Sequence, residues 1–204
     1  MQVIAHRGAK AYQPENTIKA FLTALDMGSD FFETDVQLNK AGVLVLAHDY
    51  LIAGDKKKYD TLEQLLDILK PDTKLNIEIK NDEGRYRGIE QKVMDLLNAR
   101  GAALKERILI SSFDYPTLQR IRALDKTIKI GVLTRSFNLK EALDIGAYSV
   151  NISIKIITKE IVDTCHKNNL KVYVYTVNAA ADARAMESLG VDAIFSDYPE
   201  IKSL

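Results

Sequence analysis

The segment TLEQLLDILKPDTKLNIEIK, residues 61–80, contains a change in hydrophobic period that decides the fold. Apolar residues recur at helical spacing over Thr61–Leu69, whereas Lys74–Lys80 is a short, mostly apolar run that is typical of a buried β-strand. A proline and neighbouring polar residues separate the two patterns. The segment therefore predicts a helix followed by a strand that is covered on both faces.

The same alternation continues in both directions along the chain. Strands are predicted at Gln2–His6, Asp30–Leu38, Lys74–Lys80, Ile108–Phe113, Lys129–Thr134, Ala147–Ser153, Lys171–Val177 and Val191–Ser196. Helices are predicted at Pro14–Met27, Thr61–Leu69, Tyr86–Asn98, Tyr115–Leu124, Asn138–Leu143, Thr158–Asn168 and Ala179–Ser188. Strands in regular alternation with helices predict an α/β fold with a parallel sheet.

Two architectures satisfy this alternation, a closed (β/α)8 TIM barrel and an open doubly wound sheet. Eight units in 204 residues average about 25 residues each (204/8), close to the lower size limit of the barrel. Because the alternation is strict over eight strands, it favours the closed barrel. No linker or change in composition divides the chain, so we expect one domain over residues 1–204.

The composition excludes several classes of protein. Lys and Arg total 28, as do Asp and Glu, so the basic excess typical of a nucleic-acid-binding protein is missing. The single cysteine, Cys165, excludes an internal disulfide and a cysteine-rich zinc site. We find no apolar run long enough for a transmembrane helix and no signal peptide, and so expect a cytoplasmic protein.

Carboxylates interrupt two of the apolar strands. Glu33 and Asp35 are two residues apart and therefore share a face of the second strand, and Glu78 lies in the third. A buried carboxylate is costly unless it is paired or binds a metal. Three carboxylates suit one hard divalent cation, Mg²⁺ or Ca²⁺, better than zinc.

One histidine ends the first strand, and a hairpin brings a second histidine to the same place. His6 ends the first strand, whereas Val43–Asp49 follows the second strand without an intervening helix, which predicts a β-hairpin. If Asn39 pairs with Val43, His48 lies opposite Thr34 and beside Glu33 and Asp35. Two histidines at one site can act as a general acid and a general base, although a lone histidine at a strand end is often structural.

Two cations accompany these groups. Arg7 follows His6, and Lys80 shares a strand face with Glu78. These cations could form salt bridges with the carboxylates, or they could bind a phosphate beside a metal ion. The complete set of groups is suited to hydrolysis of a phosphodiester.

The chain resembles the glycerophosphodiester phosphodiesterase family. The matching motifs occur in the order of the family and span nearly the whole chain. They are His6-Arg7-Gly8, Pro14-Glu15-Asn16-Thr17, Glu33-Thr34-Asp35-Val36, His48-Asp49, Asn76-Ile77-Glu78-Ile79-Lys80, Ser111-Ser112-Phe113, Thr176-Val177-Asn178 and Ser196-Asp197-Tyr198-Pro199.

The resemblance implies a (β/α)8 barrel that binds a divalent metal and hydrolyses a small glycerophosphodiester to sn-glycerol 3-phosphate and an alcohol. By position, His6 and His48 correspond to the acid/base pair, and Glu33, Asp35 and Glu78 to the metal ligands. Arg7 and Lys80 correspond to groups that contact the phosphate. The attacking group is either the substrate's own glycerol hydroxyl or water. The oligomeric state stays open.

The chain departs from the family after the hairpin. The family usually carries an inserted region there, but only Tyr50–Tyr59 occupies this place, including Lys56-Lys57-Lys58. We therefore predict a very short insertion and a more open pocket. Phe113 and Tyr175, at strand ends, are expected to form part of the pocket wall and to contact substrate.

Two other functions remain open at this point. One is a lysophospholipase-D-like hydrolase, which an exposed apolar rim around the pocket would favour. The other is a catalytically silent barrel that only binds phosphorylated ligands, which the loss of a metal ligand or histidine would favour.

Overall fold

A computed structural model describes residues 1–52 and 57–201. The strands in these residues are β1 (Gln2–His6), β2 (Phe31–Leu38), β3 (Leu44–Leu46), β4 (Lys74–Ile79), β5 (Ile108–Ser112), β6 (Lys129–Thr134), β7 (Ser149–Ser153), β8 (Lys171–Tyr175) and β9 (Ala193–Ser196). All except β3 run parallel, in the order β1-β9-β8-β7-β6-β5-β4-β2. A further pairing of β1 with β2, through His6 opposite Glu33, closes the ring. The predicted TIM barrel is confirmed, and the open sheet is wrong.

The helices lie between the strands as predicted. They are α1 (Ile18–Asp26), α2 (Leu62–Ile68), α3 (Ile89–Arg100), α4 (Ala102–Lys105), α5 (Tyr115–Leu124), α6 (Leu139–Asp144), α7 (Lys159–Lys167) and α8 (Ala180–Leu189). The short α4, and a 3-10 turn at Asp82–Gly84, were not predicted. No helix within the described residues is long and apolar enough to cross a membrane.

On β1 and β2 the inward face of the barrel changes from apolar to polar towards the mouth. Ile4, Phe31 and Phe195 belong to a buried cluster inside the barrel. His6 and Glu33 lie two residues beyond Ile4 and Phe31, on the same strand faces. These two strands therefore carry a polar side chain at the carboxyl end, beyond an apolar one.

The first helix begins later than its pattern predicts. Thr17 is its N-cap, with its hydroxyl accepting from the Ala20 amide at 3.2 Å, so residues 14–16 precede the helix. Asn16 has a left-handed backbone (φ 57°). This turn frees the side chains of Glu15 and Asn16 to face the barrel mouth instead of the first helical turn.

The predicted hairpin register is confirmed. Val36 pairs with Leu46, Gln37 with Val45 and Leu38 with Leu44, the antiparallel alignment that continues to Thr34 opposite His48. The buried Gln37 amide donates to the carbonyls of Ala47 (2.7 Å) and Asp49 (2.8 Å). These bonds hold the chain that returns His48 to the mouth.

The shortened segment Tyr50–Tyr59 is only partly described. Residues 53–56, which include Lys56, lie outside the described residues, as do residues 202–204. Leu51 donates its amide to Gln37 Oε1 at 3.2 Å, so the start of the segment is attached to the hairpin.

Candidate active site

The predicted site residues meet at the carboxyl ends of the strands. A pocket of about 150 Å³ opens there. It is lined by His6, Arg7, Glu33, His48, Asn76, Glu78, Lys80, Phe113, Leu133, Arg135, Tyr175, Thr176 and Phe195. Every predicted site residue except Asp35 lines it, and Asp35 is fully buried beside Arg7. A larger groove, about 620 Å³, lies by α3 and α5 on the outside of the barrel, where Glu90 pairs with Arg120.

Three carboxylates form the floor of the site. The register between β2 and β4 places Asp35 beside Glu78, and one oxygen from each of Glu33, Asp35 and Glu78 lies within 4.8 Å of the others. Burial, together with the charges of Asp35 and Glu78, raises the pKa of Glu33 well above its usual range. Burial and Asp35 likewise raise the pKa of Glu78 to about 7. This cluster therefore resists holding three negative charges without an added cation.

The donor set fits a hard divalent cation. All three groups offer carboxylate oxygens, the donors that Mg²⁺ and Ca²⁺ prefer. Asp35 Oδ1 is buried and accepts no hydrogen bond from a described residue, with Lys80 Nζ 3.9 Å away. A buried oxygen without a hydrogen-bond partner is costly, and a metal ion would satisfy it.

The two predicted cations flank the carboxylates. Arg7 Nε lies 3.0 Å from Asp35 Oδ2, and its Nη1 lies 2.9 Å from Glu15 Oε2. Lys80 Nζ lies 3.2 Å from Glu78 Oε1. Both predicted alternatives are therefore compatible with this geometry, because each cation pairs with a carboxylate and still lines the pocket.

The backbone around Arg7 explains its placement. Arg7 and Gly8 are both left-handed, with φ angles of 57° and 81°. A Cβ on Gly8 would lie 2.7 Å from the Ala20 carbonyl carbon, so only glycine fits here. The Arg7 amide donates to Glu33 Oε2 at 3.0 Å, which ties this turn to the carboxylate cluster.

Each histidine is oriented by an aspartate. His6 Nδ1 lies 2.6 Å from Asp197 Oδ1, and His48 Nδ1 lies 2.9 Å from Asp49 Oδ1. In both rings Nε2 is the nitrogen left for a substrate. Burial lowers the pKa of His6, although the hydrogen bond that its ring donates to Asp197 opposes this effect.

Three residues have more direct parts in the site than their sequence positions indicated. Asn16 donates to Asp35 Oδ2 at 2.9 Å and accepts from Thr34 Oγ1 at 2.8 Å. Asp197 accepts a hydrogen bond from Asn178 Nδ2 (2.8 Å) and also orients His6. No sequence motif points to Arg135. Its position just after β6, at the carboxyl end of a strand, was the available signal.

The aromatic residues form one wall of the pocket. Phe113 and Tyr175 pack edge to face, with ring centroids 5.8 Å apart at 87°. The Tyr175 hydroxyl donates to the Thr134 carbonyl at 2.7 Å, and burial raises its pKa to about 12. Tyr175 is therefore a neutral wall, placed as expected, while contact with substrate stays a prediction.

Comparisons with known proteins identify the family of the chain. The family model described as "Glycerophosphoryl diester phosphodiesterase family" matches residues 6–55 and 51–201. The chain is 33% identical to a glycerophosphodiester phosphodiesterase of Caldanaerobacter subterraneus subsp. tengcongensis, covering 97% of this chain and 94% of the relative. It is 32% identical to one of Bacillus altitudinis, with 98% and 95% covered.

Solved structures share the fold. A glycerophosphodiester phosphodiesterase of Parabacteroides distasonis superimposes with a TM-score of 0.86 at 25% identity, over 98% of this chain and 93% of that one. A phosphodiesterase of Oleispira antarctica, solved with its product sn-glycerol 3-phosphate, has a TM-score of 0.90 at 24% identity, over 100% and 96%.

The matches also bear on the shortened segment. The two parts of the family match meet at residues 51–55, and the alignment to the Caldanaerobacter relative spans 231 positions against 204 residues in this chain. That relative therefore carries segments that this chain lacks, in agreement with a very short insertion. The chain belongs to the glycerophosphoryl diester phosphodiesterase family, whose members are hydrolases.

Proposed function

We propose that this chain uses a divalent cation to hydrolyse glycerophosphodiesters to sn-glycerol 3-phosphate and an alcohol. The observation that carries the proposal is the meeting of three carboxylates, two histidines and two cations around one pocket of about 150 Å³. Family membership makes this the reaction to expect. The catalytic unit is residues 1–204, and the substrate is a small molecule.

The carboxylates Glu33, Asp35 and Glu78 would hold the cation. Bound there, Mg²⁺ or Ca²⁺ would supply Lewis-acid stabilisation of charge on the phosphoryl oxygens. Arg7 and Lys80 line the same pocket and bind the phosphate by charge-assisted hydrogen bonds. Their ion pairs with Asp35 and Glu78 hold both side chains in place before substrate arrives.

His6 acts as the general base. Because burial lowers its pKa, the ring is neutral at pH 7, and Nε2 can take the proton of the attacking hydroxyl, whether that belongs to the glycerol moiety or to water. Asp197 then stabilises the imidazolium that forms. His48, on the hairpin, gives a proton to the oxygen of the departing alcohol as its bond to phosphorus breaks. If the glycerol hydroxyl attacks, this step leaves a cyclic phosphate, which water then opens to sn-glycerol 3-phosphate.

The pocket favours a short diester over the two alternatives. The pocket of about 150 Å³ is lined by charged and polar side chains, among them Arg7, Glu78 and Lys80, which suit a polar diester better than an acyl chain. A silent binding barrel would be expected to lack one of the five catalytic and metal-binding side chains. His6, His48, Glu33, Asp35 and Glu78 are all present and close together.

The test is the release of sn-glycerol 3-phosphate from glycerophosphoglycerol, glycerophosphoethanolamine and glycerophosphocholine, with Mg²⁺, Ca²⁺ or EDTA. We expect release from at least one substrate with metal, and loss of release in EDTA that returns when metal is added. Equal rates in EDTA would contradict the role of the cation, and no release from any substrate would contradict the assigned reaction.

A further inference from the structure

Arg135 is a pocket residue that the proposed chemistry does not use. It follows β6, which is separated from β2 by the two strands β4 and β5. Its guanidinium carbon lies 4.2 Å from the centre of the Phe113 ring, which places it over the ring face. The stacking holds the charge at the rim of the pocket, on a different wall from the carboxylates.

The charge of Arg135 is uncompensated, unlike that of the other two cations. Arg7 pairs with Asp35 and Glu15, and Lys80 pairs with Glu78. Arg135 makes no hydrogen bond or ion pair with any residue in the described ranges 1–52 and 57–201. Its guanidinium donors are therefore free to bind an anionic group of a ligand.

The position of Arg135 determines which part of a substrate it meets. A phosphate bound between Arg7 and Lys80 lies beside β1 and β4, over the carboxylate cluster. Any group of the diester that extends across the pocket reaches the wall made by Phe113, Tyr175 and Arg135. That group meets one charged side chain and two aromatic rings.

This wall is unsuited to a cationic alcohol. A quaternary ammonium group binds to open aromatic faces. Here the guanidinium already covers one face of Phe113, and Tyr175 packs against the same ring. Choline or ethanolamine placed at this wall would lie beside the positive charge of Arg135.

We propose that Arg135 is a specificity-determining residue that selects diesters whose alcohol carries an anionic group and disfavours diesters of cationic alcohols. This inference rests on the proposed function, because it assigns the alcohol preference of the same site. The chemical class is a glycerophosphodiester with a second negative charge, such as a phosphomonoester, on the alcohol.

Three substrates that share the scissile diester test the proposal. They are glycerophosphocholine, glycerophosphoglycerol and glycerophosphoglycerol carrying a terminal phosphate. Hydrolysis of each substrate is measured as the loss of its phosphodiester ³¹P signal. In the wild type we expect kcat/KM to rise from the cationic to the neutral to the anionic alcohol. In Arg135→Gln, kcat/KM for the anionic substrate should fall about 10-fold or more, the size of a hydrogen bond to a charged group.

Two variants serve as controls. Arg184→Gln removes the same charge from an exposed position on α8, outside the pocket, and should leave the ranking unchanged. Arg135→Lys keeps the charge, so the order of kcat/KM among the three substrates should be the same, with smaller differences between them. In Arg135→Gln, the loss of kcat/KM should be smaller for the neutral substrate than for the anionic one, because the phosphate contacts of Arg7 and Lys80 are intact.

The outcomes separate this inference from the function on which it rests. No hydrolysis of any substrate by the wild type would contradict both. The specificity role alone would be contradicted if the wild type hydrolysed glycerophosphoglycerol and glycerophosphocholine with equal kcat/KM. It would also be contradicted if Arg135→Gln left the order of kcat/KM among the substrates unchanged. An equal loss on all three substrates would place Arg135 on the shared phosphate and would also overturn the proposal.

Discussion

Carboxylates at the two ends of this barrel have opposite electrostatic environments. At the amino end, Asp125 accepts from the amides of Thr127 (2.7 Å) and Ile128 (3.0 Å) and pairs with Lys105. Burial alone would raise its pKa, but these bonds lower it. At the carboxyl end, burial and mutual repulsion raise the pKa of Glu33 and Glu78.

The difference separates stability from function within one fold. A charge with a full set of hydrogen bonds, such as Asp125, stabilises the native state. A buried cluster of like charges costs free energy, and in this chain that cluster lies beside the histidines and cations of the pocket. We therefore expect variants at the mouth to lose activity and variants at the base to lose stability.

The largest effect should come from a cluster carboxylate. Glu33→Gln should lower metal-dependent turnover by about 10³-fold or more, because several kcal/mol of transition-state stabilisation depends on the metal. Its melting temperature in EDTA should equal or exceed that of the wild type, and added Mg²⁺ or Ca²⁺ should no longer raise it. Asp125→Asn should keep full turnover. Unchanged turnover of Glu33→Gln in saturating metal would remove Glu33 from the ligand set.

A pair of histidines gives the next comparison. His48→Ala, at the mouth, should lower kcat by about 10²-fold, the usual share of a general acid or base. His166→Ala, whose Nε2 lies 2.9 Å from Asp192 at the base, should leave kcat unchanged. Steady-state kinetics of the two variants at pH 7 measures both. If both retain the wild-type rate, the hairpin does not bring a catalytic group to the site.

The smallest effects concern stability, and their dependence on pH should have opposite signs. The pKa of Asp125 is lowered in the folded protein, so its contribution is present above about pH 4 and is lost as pH falls. The pKa of Glu78 is raised to about 7, so the metal-free folded state binds more protons and loses stability as pH rises from about 4.5 through 7.

Urea denaturation in EDTA at pH 5 and pH 8 checks both signs. Asp125→Asn should destabilise the protein by about 1 kcal/mol at both values. Glu78→Gln should be close to neutral at pH 5 and stabilising by about 2 kcal/mol at pH 8. A Glu78→Gln variant that is destabilised more at pH 8 than at pH 5 would show that this carboxylate is favoured in its charged form.

Many features of the fold and the site could be predicted from local patterns in the sequence. The periodicity of TLEQLLDILKPDTKLNIEIK and its counterparts predicts the strands and helices, and period two places Glu33 and Asp35 on one face. The hairpin alignment from Asn39 and Val43 predicts the position of His48, and the observed register agrees. These features depend on neighbours in the chain, which is why they are accessible without coordinates.

Other features needed the folded molecule because they join residues far apart in sequence. The 2.6 Å contact of His6 with Asp197 exists because β1 pairs with β9 when the barrel closes. The sequence predicts a helix at residues 14–16, but the structure has a turn there. Its left-handed Asn16 is stabilised by hydrogen bonds with Thr34 and Asp35 on β2, which are distant in the sequence. Local propensity carries no information about such partners.

The sequence by itself determined the alternation of elements, the strand faces that carry acids and bases, and the family to which they point. Only the tertiary structure decided which charges compensate one another. Arg7 and Lys80 are paired with carboxylates while Arg135 is stacked on Phe113, although all three simply follow or end strands in the sequence. The physical reason is that electrostatic energy depends on distance and burial in three dimensions, and barrel closure sets both.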